Sequence, residues 1–158
     1  MSKRKTWKEK LFGKSDLPKV AKITKDKFKK WGAGTYVVPA PREVDQLMKK
    51  VPRGKLITIN EIRQSLAKKH KATISCPMTT GVFAWIAAHA ADESAAEGKK
   101  RITPYWRTLK TGGELNPKYP GGIENLKNLL EAEGHRVVRK GKKYVVSEFE
   151  KKLFNHRG

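Results

Sequence analysis

From Pro41 onward, apolar positions recur at helical spacing in separate blocks divided by turn residues. Val44, Leu47 and Met48, three and four apart, predict a helix that opens at Pro41 and is broken by Val51-Pro52-Arg53-Gly54. Ile59, Ile62 and Leu66 form the buried stripe of a second helix, with Arg63, Lys68 and Lys69 toward solvent. Its start is marked by Thr58-Ile59-Asn60-Glu61, in which Thr58 caps the first turn and Glu61 reaches back. A basic linker follows, and Pro77 suits the first turn of a third helix. Val82, Phe83, Trp85, Ile86 and Ala90 continue it to about Ala96. Two helices joined by a short connection, the second more apolar, have the sequence shape of a helix-turn-helix.

The flanks follow other rules. Thr35-Tyr36-Val37-Val38 predicts a short strand or extended linker, stopped by Pro39 and Pro41. A Gly/Pro-rich run from Thr111-Gly112-Gly113 to Tyr119-Pro120-Gly121-Gly122 precedes an amphipathic helix from about Ile123 to Glu133, ended by Gly134. His135 to Arg139, a turn at Lys140-Gly141-Lys142, and Lys143 to Val146 predict a β-hairpin, which beside a helix-turn-helix would be a wing. The expected fold is therefore α+β and mainly helical. A winged helix-turn-helix domain occupies 41–134, after a basic N-terminal extension over 1–40 and before a C-terminal hairpin and tail over 135–158. Within the extension, Trp7, Leu11, Phe12, Leu17, Val20, Phe28 and Trp31 are too apolar for a purely solvated tail. A partly docked arm with short helical pieces and a disordered arm both stay open.

Charge narrows the partners. The 158 residues carry 36 Lys and Arg against 15 Asp and Glu, a formal net charge of +21. Residues 1–31 alone hold 12 basic against 3 acidic side chains, whereas the segment from Ser75 to Gly98 has no Lys or Arg. Such a field favours a polyanion, and nucleic acid above all, because neutralised phosphates release counterions. The lysine-rich N-terminus lacks the ordered apolar face of a membrane-surface helix, so no membrane partner is expected. Cys76 is the sole cysteine, which excludes an intrachain disulfide and a paired-cysteine zinc site. His70, His89, His135 and His156 show no ligand spacing, so neither metal nor cofactor is expected. With no bilayer-length apolar run and no visible signal peptide, the expected location is cytoplasmic, nucleoid-associated in a bacterium.

Several segments, in order over roughly residues 41–134, resemble the DNA-binding domain of the O6-alkylguanine-DNA alkyltransferases. Val51-Pro52-Arg53-Gly54-Lys55-Leu56-Ile57-Thr58 is similar to the entry to the first motif helix, and Thr79-Thr80-Gly81-Val82-Phe83-Ala84-Trp85 falls at the recognition helix. Thr103-Pro104-Tyr105-Trp106-Arg107 falls at the reactive loop, where the family reads Pro-Cys-His-Arg. Gly121-Gly122 and Leu129-Leu130-Glu131-Ala132-Glu133-Gly134 resemble the closing glycine pair and final helix. The resemblance implies a winged helix-turn-helix that enters the minor groove and flips a damaged base. Its alkyltransferase-like subgroup replaces the reactive cysteine, binds alkylated guanine without repairing it, and passes the site to excision repair. A DNA-repair partner follows from that likeness, its identity open.

The chain departs from the family at several positions. Tyr105 replaces the alkyl-acceptor cysteine and Trp106 the activating histidine. The base-flipping arginine falls near Thr79, the phosphate-rotating tyrosine falls at Ile59, and Ala91 to Arg101 is an insertion. The hinge asparagine has no counterpart. A phenol with a pKa near 10 is a poor substitute for a thiolate, so the expected protein is a non-catalytic binder of double-stranded DNA. The other readings are a sensor of O6-alkylguanine, alkyl transfer to Tyr105, and a general chromatin or RNA-associated factor.

The expected DNA contacts are Thr79, Thr80, Tyr105, Lys68, Lys69, Lys99, Lys100, Arg101 and Lys110, with Pro104, Trp106, Arg107, Tyr119 and Glu133 shaping the pocket. Tyr105 either stacks on an extruded guanine or fills the space of the missing cysteine. Glu133 matches the glutamate that orients the family's histidine. With Trp106 there instead, that partner is lost and Glu133 is expected to pair with Arg107. Cys76 is expected to be a buried, inert thiol.

Overall fold

The computed structural model describes residues 6–13 and 16–154. Residues 1–5, 14–15 and 155–158, which hold the start of the basic extension and His156, lie outside the described residues. The N-terminal part contributes α1 (Trp7–Phe12), β1 (Lys19–Lys22), α2 (Phe28–Trp31) and β2 (Thr35–Val38). Then follow α3 (Pro41–Lys49), β3 (Ile57–Thr58), α4 (Ile59–Lys69), β4 (Ile74–Ser75) and α5 (Pro77–Ala96). The C-terminal part supplies β5 (Thr108–Leu109), α6 (Gly122–Ala132), β6 (Val137–Lys140) and β7 (Lys143–Val146).

The helix starts obey their local signals. Thr58 Oγ1 accepts the Glu61 N–H at 3.4 Å while the Glu61 carboxylate accepts the Thr58 N–H at 3.0 Å, closing the capping box of α4. Pro41 and Pro77 sit in the first turns of α3 and α5, where no N–H is needed. Val44, Met48, Ile62 and Leu66 are buried as the periodicity predicts. In α5, Ala84, Ala87, Ala88 and Ala91 are all buried, and these small side chains let α1, α3 and α4 pack closely around one helix.

The linker between α4 and α5 holds a strand the sequence does not signal. β4 pairs parallel with β2, and β1 pairs antiparallel on β2's other edge, giving a three-stranded sheet ordered β1-β2-β4. Backbone groups at this packed junction need partners, and β2 supplies them. The described N-terminal residues are thus folded onto the helices: Leu11 is buried, and α1 lies against α5 and α3.

The hairpin forms around a two-residue Gly141-Lys142 loop, with Lys140 opposite Lys143. It is carried by the segment after β5: Leu115 N–H donates to Tyr144 O at 2.8 Å, and Val146 N–H to Gly113 O at 3.0 Å. Val137 and Val146 join the main core through it. The C-terminal end returns to the centre, where Leu56 N–H donates to Lys152 O at 2.9 Å and Phe154 N–H to Leu56 O at 2.7 Å. β3 pairs parallel with β5, which fixes the loop before β5 against the start of α4.

Candidate nucleic-acid interface

The loop from Thr103 to Leu109 is held from several sides. Thr103 Oγ1 donates to Asp45 Oδ1 of α3 at 2.7 Å, with Lys49 Nζ 3.1 Å from Asp45 Oδ2. After the buried Pro104, Tyr105–Arg107 form one 3-10 turn. Arg107 donates from Nη2 to Glu133 Oε2 at 2.7 Å, from Nε to Oε1 at 2.9 Å, and from Nη1 to Val51 O at 2.8 Å. The pairing of Arg107 with Glu133 is therefore present. The expected loss of Glu133's partner at position 106 is overturned: Trp106 Nε1 donates to Glu133 Oε2 at 2.8 Å. Burial works to raise the Glu133 pKa, yet hydrogen bonds from Arg107, Trp106 and the Gly54 N–H hold it below the ordinary glutamate value.

Tyr105 is a core aromatic. It is 5% exposed, and its hydroxyl accepts a hydrogen bond from Asn125 Nδ2 at 3.1 Å. Its ring meets Trp106 edge-on, with centroids 5.2 Å apart. Burial raises its phenol pKa above the ordinary value, only partly offset by Asn125. Such a group is less ionised than a free tyrosine and a weaker nucleophile. Tyr119 is buried beside it, and burial raises its phenol further. Asn125 owes its position to Gly121, whose φ is +76° and where an added Cβ would lie 2.5 Å from the Asn125 Cβ.

Two of the expected DNA contacts, Thr80 on the helix pair and Tyr105 in the loop, are buried. Thr80 is fully buried, its hydroxyl donating to Cys76 O at 2.8 Å and paired with Ser75 Oγ at 3.1 Å. Tyr105 packs in the loop as described, its ring against Trp106 and Tyr119. Thr79 is half-buried at the start of α5, and Cys76 is a buried free thiol. The outward face of α5's first turns is apolar: Met78 is 75% and Val82 49% exposed, four residues apart.

The basic residues fall into separate groups. Lys68 and Lys69 lie at the end of α4, but Lys69 Nζ is 2.8 Å from Glu43 Oε2, a carboxylate also 2.6 Å from His70 Nε2. Lys99, Lys100 and Arg101 are exposed just past α5. A 20-residue helix is about 30 Å long, so α5 holds these two groups at opposite ends. Lys110 lies 3.9 Å from Glu114 near the hairpin. A further basic groove, unpredicted, opens where α2 faces α4. Lys30 and Trp31 form one side, and Asn60, Arg63 and Gln64 the other, around about 360 Å³. The three α4 residues share one face by their spacing, which the sequence carries. The approach of Lys30 and Trp31 is a tertiary event with no local signal.

A helix pair with a following hairpin, beside a loop framed by Arg107 and Glu133 around a buried tyrosine, is a fold that recurs among solved structures. Among solved structures the chain resembles S. pombe Atl1 in complex with damaged DNA containing O6-carboxymethylguanine, with TM-score 0.52 and 16% identity over 73% of this chain and 94% of that one. S. pombe ATL in complex with DNA gives TM-score 0.52 and 17% identity, again over 73% of this chain and 94% of the other. No family model and no curated protein matches the chain.

Proposed function

We propose that this protein is a non-catalytic DNA-binding protein built on the alkyltransferase-like fold. The observation that carries the reading is the reactive-loop position. The loop is rigidly framed as the fold requires, but its acceptor position holds Tyr105, buried and hydrogen-bonded to Asn125. Likeness to a fold found in complex with damaged DNA supports a nucleic-acid partner, as does the net charge of +21. Cations contact phosphates from the flanks of α5, since α5 itself has none. On this reading the exposed Met78 and Val82 face the minor groove of the DNA, an apolar wedge of the kind that opens its base steps.

The test is a competition experiment with the full chain at physiological salt, using an undamaged duplex, the same duplex with one O6-alkylguanine, and the matching RNA. Duplex DNA is expected to win over RNA, and the protein mass to stay unchanged after incubation with alkylated DNA. Preference for RNA would refute the reading, and an added alkyl mass would refute its non-catalytic part. A second reading, lesion sensing, is favoured by the O6-carboxymethylguanine in the Atl1 complex; it requires clearly tighter binding to the alkylated duplex.

A further inference from the structure

We infer that the groove between α2 and α4 binds one unpaired nucleotide of a DNA strand, an inference that rests on the DNA-binding reading above. The groove encloses about 360 Å³, within the roughly 300–1,000 Å³ typical of small-ligand clefts. Its lining contains two cations, two side-chain amides and one indole, and no carboxylate. Among the described residues Lys30 makes no ion pair, and the Arg63 guanidinium contacts only Asn60 Oδ1, at 3.5 Å. Most lysines and arginines near carboxylates are partly neutralised; these two are free to take a phosphate.

The remaining groups match the rest of a nucleotide. Asn60 and Gln64 each offer donors and an acceptor, the combination that reads the edge of a base. Trp31 supplies an aromatic wall and is held in place before any ligand arrives. Its ring packs edge-on against Tyr36 at 5.2 Å, and Lys27 Nζ lies 4.7 Å from its centroid. A preorganised indole loses little entropy on binding. Stacking on it requires a base whose face is free, and inside a duplex both faces are covered by neighbours. The ligand is therefore an unpaired nucleotide. Pro77, the first residue of α5, also lines the groove, so the site borders the end of the helix assigned to the duplex. An unpaired nucleotide next to a bound duplex reaches it.

The experiment measures full-chain affinity by fluorescence anisotropy for a fully paired duplex and for the same duplex carrying one bulged nucleotide. The bulged duplex is expected to bind about tenfold tighter, the scale of stacking one base. Trp31→Ala and the double variant Asn60→Ala/Gln64→Ala are expected to remove that preference and leave paired-duplex affinity within about twofold. Circular dichroism checks that both variants fold. Equal wild-type affinity for the two duplexes overturns the inference. So does retention of the preference by both variants, or an equal loss on both duplexes. If the wild type binds neither duplex in a salt-dependent way, the DNA-binding reading itself fails, which is a distinct result.

Discussion

Glu133 accepts hydrogen bonds from three residues on two segments of the chain: Trp106 and Arg107 in one turn, and Gly54 in another. Its side chain is 7% exposed and that of Arg107 14%, so neither has water as an easy substitute. Removing one partner of such a pair leaves a buried charge unpaired, which costs about 3–5 kcal/mol. Glu133→Ala is accordingly expected to lower the urea midpoint by that equivalent, while Trp106→Phe, which removes a single charge-assisted bond, costs about 1.5–3 kcal/mol. The acid limb carries a second signature. Glu133 titrates below its unfolded value of 4.5, so its stabilisation is complete above that pH and is lost as pH falls through the folded value. His135 acts in a different window. Burial lowers its imidazole pKa below 6.5, with Lys152 and Arg107 adding to this and Glu133 opposing it. The unfolded chain then takes up a proton that the folded one refuses, so stability begins to fall as pH drops below 6.5. His135→Leu is expected to flatten the stability curve just below pH 6.5 and leave the fall below 4.5 intact. Urea midpoints measured from pH 8 to 3 check both steps; coincident curves for the variant and the wild type would refute the first.

At the scale of elements, the extension of α5 and the docking of α1 form one unit. The Glu93 carboxylate accepts the Trp7 and Lys8 N–H groups, each at 3.0 Å, so α5 caps the open end of α1. Lys8 also pairs with Glu97 at 2.6 Å, and Trp7 stacks on His89 at 4.5 Å and meets Trp85 edge-on at 4.7 Å. Glu93 and Glu97 both lie in the insertion from Ala91 to Arg101, and both serve to hold the N-terminal helix. Glu93→Ala is expected to cost about 1 kcal/mol and to expose the Trp7 to Leu11 amides to hydrogen exchange, with α4 and α6 unchanged. Unaltered protection at those amides would show that α1 docks by its apolar face alone. The sequence is legible to different depths across these elements. Helices α3 to α6 and the hairpin were readable because spacing, caps and glycine stops act within a few residues. Trp7 and Leu11 leave a docked arm and a disordered arm equally open, because the Glu93 that holds the segment lies more than eighty positions away. β4 gave no signal, being two residues whose partner strand is remote. The Arg107 and Glu133 pair was readable through the family resemblance. The Trp106 bond has no signal in local spacing, although an indole N–H needs an acceptor when buried.

For the whole molecule, the proposed DNA binding makes a prediction from the charge pattern. If a duplex lies along α5, which contributes no cation, its phosphates would be met from the helix ends: Lys30, Arg63 and Lys68 near its start, and Lys99, Lys100 and Arg101 past its last turn. About 30 Å separates the ends of a 20-residue helix. With about 3.4 Å of axis per base pair, a duplex must exceed roughly nine pairs to touch both groups. An 8-base-pair duplex is therefore expected to bind weakly through one group alone, and a 16-base-pair duplex more tightly, with a steeper fall in affinity as salt is added. The triple variant Lys99→Ala/Lys100→Ala/Arg101→Ala separates this geometry from the larger number of positions that a longer duplex offers. If all three side chains displace counterions, the variant's slope of log affinity against log salt on the 16-mer should be shallower by up to about 2.7. Its affinity for the 8-mer should change far less, because that duplex is free to sit on the groove end. Equal losses of slope on both duplexes would mean that the two groups do not share one DNA axis, and the alignment of the duplex along α5 would be wrong.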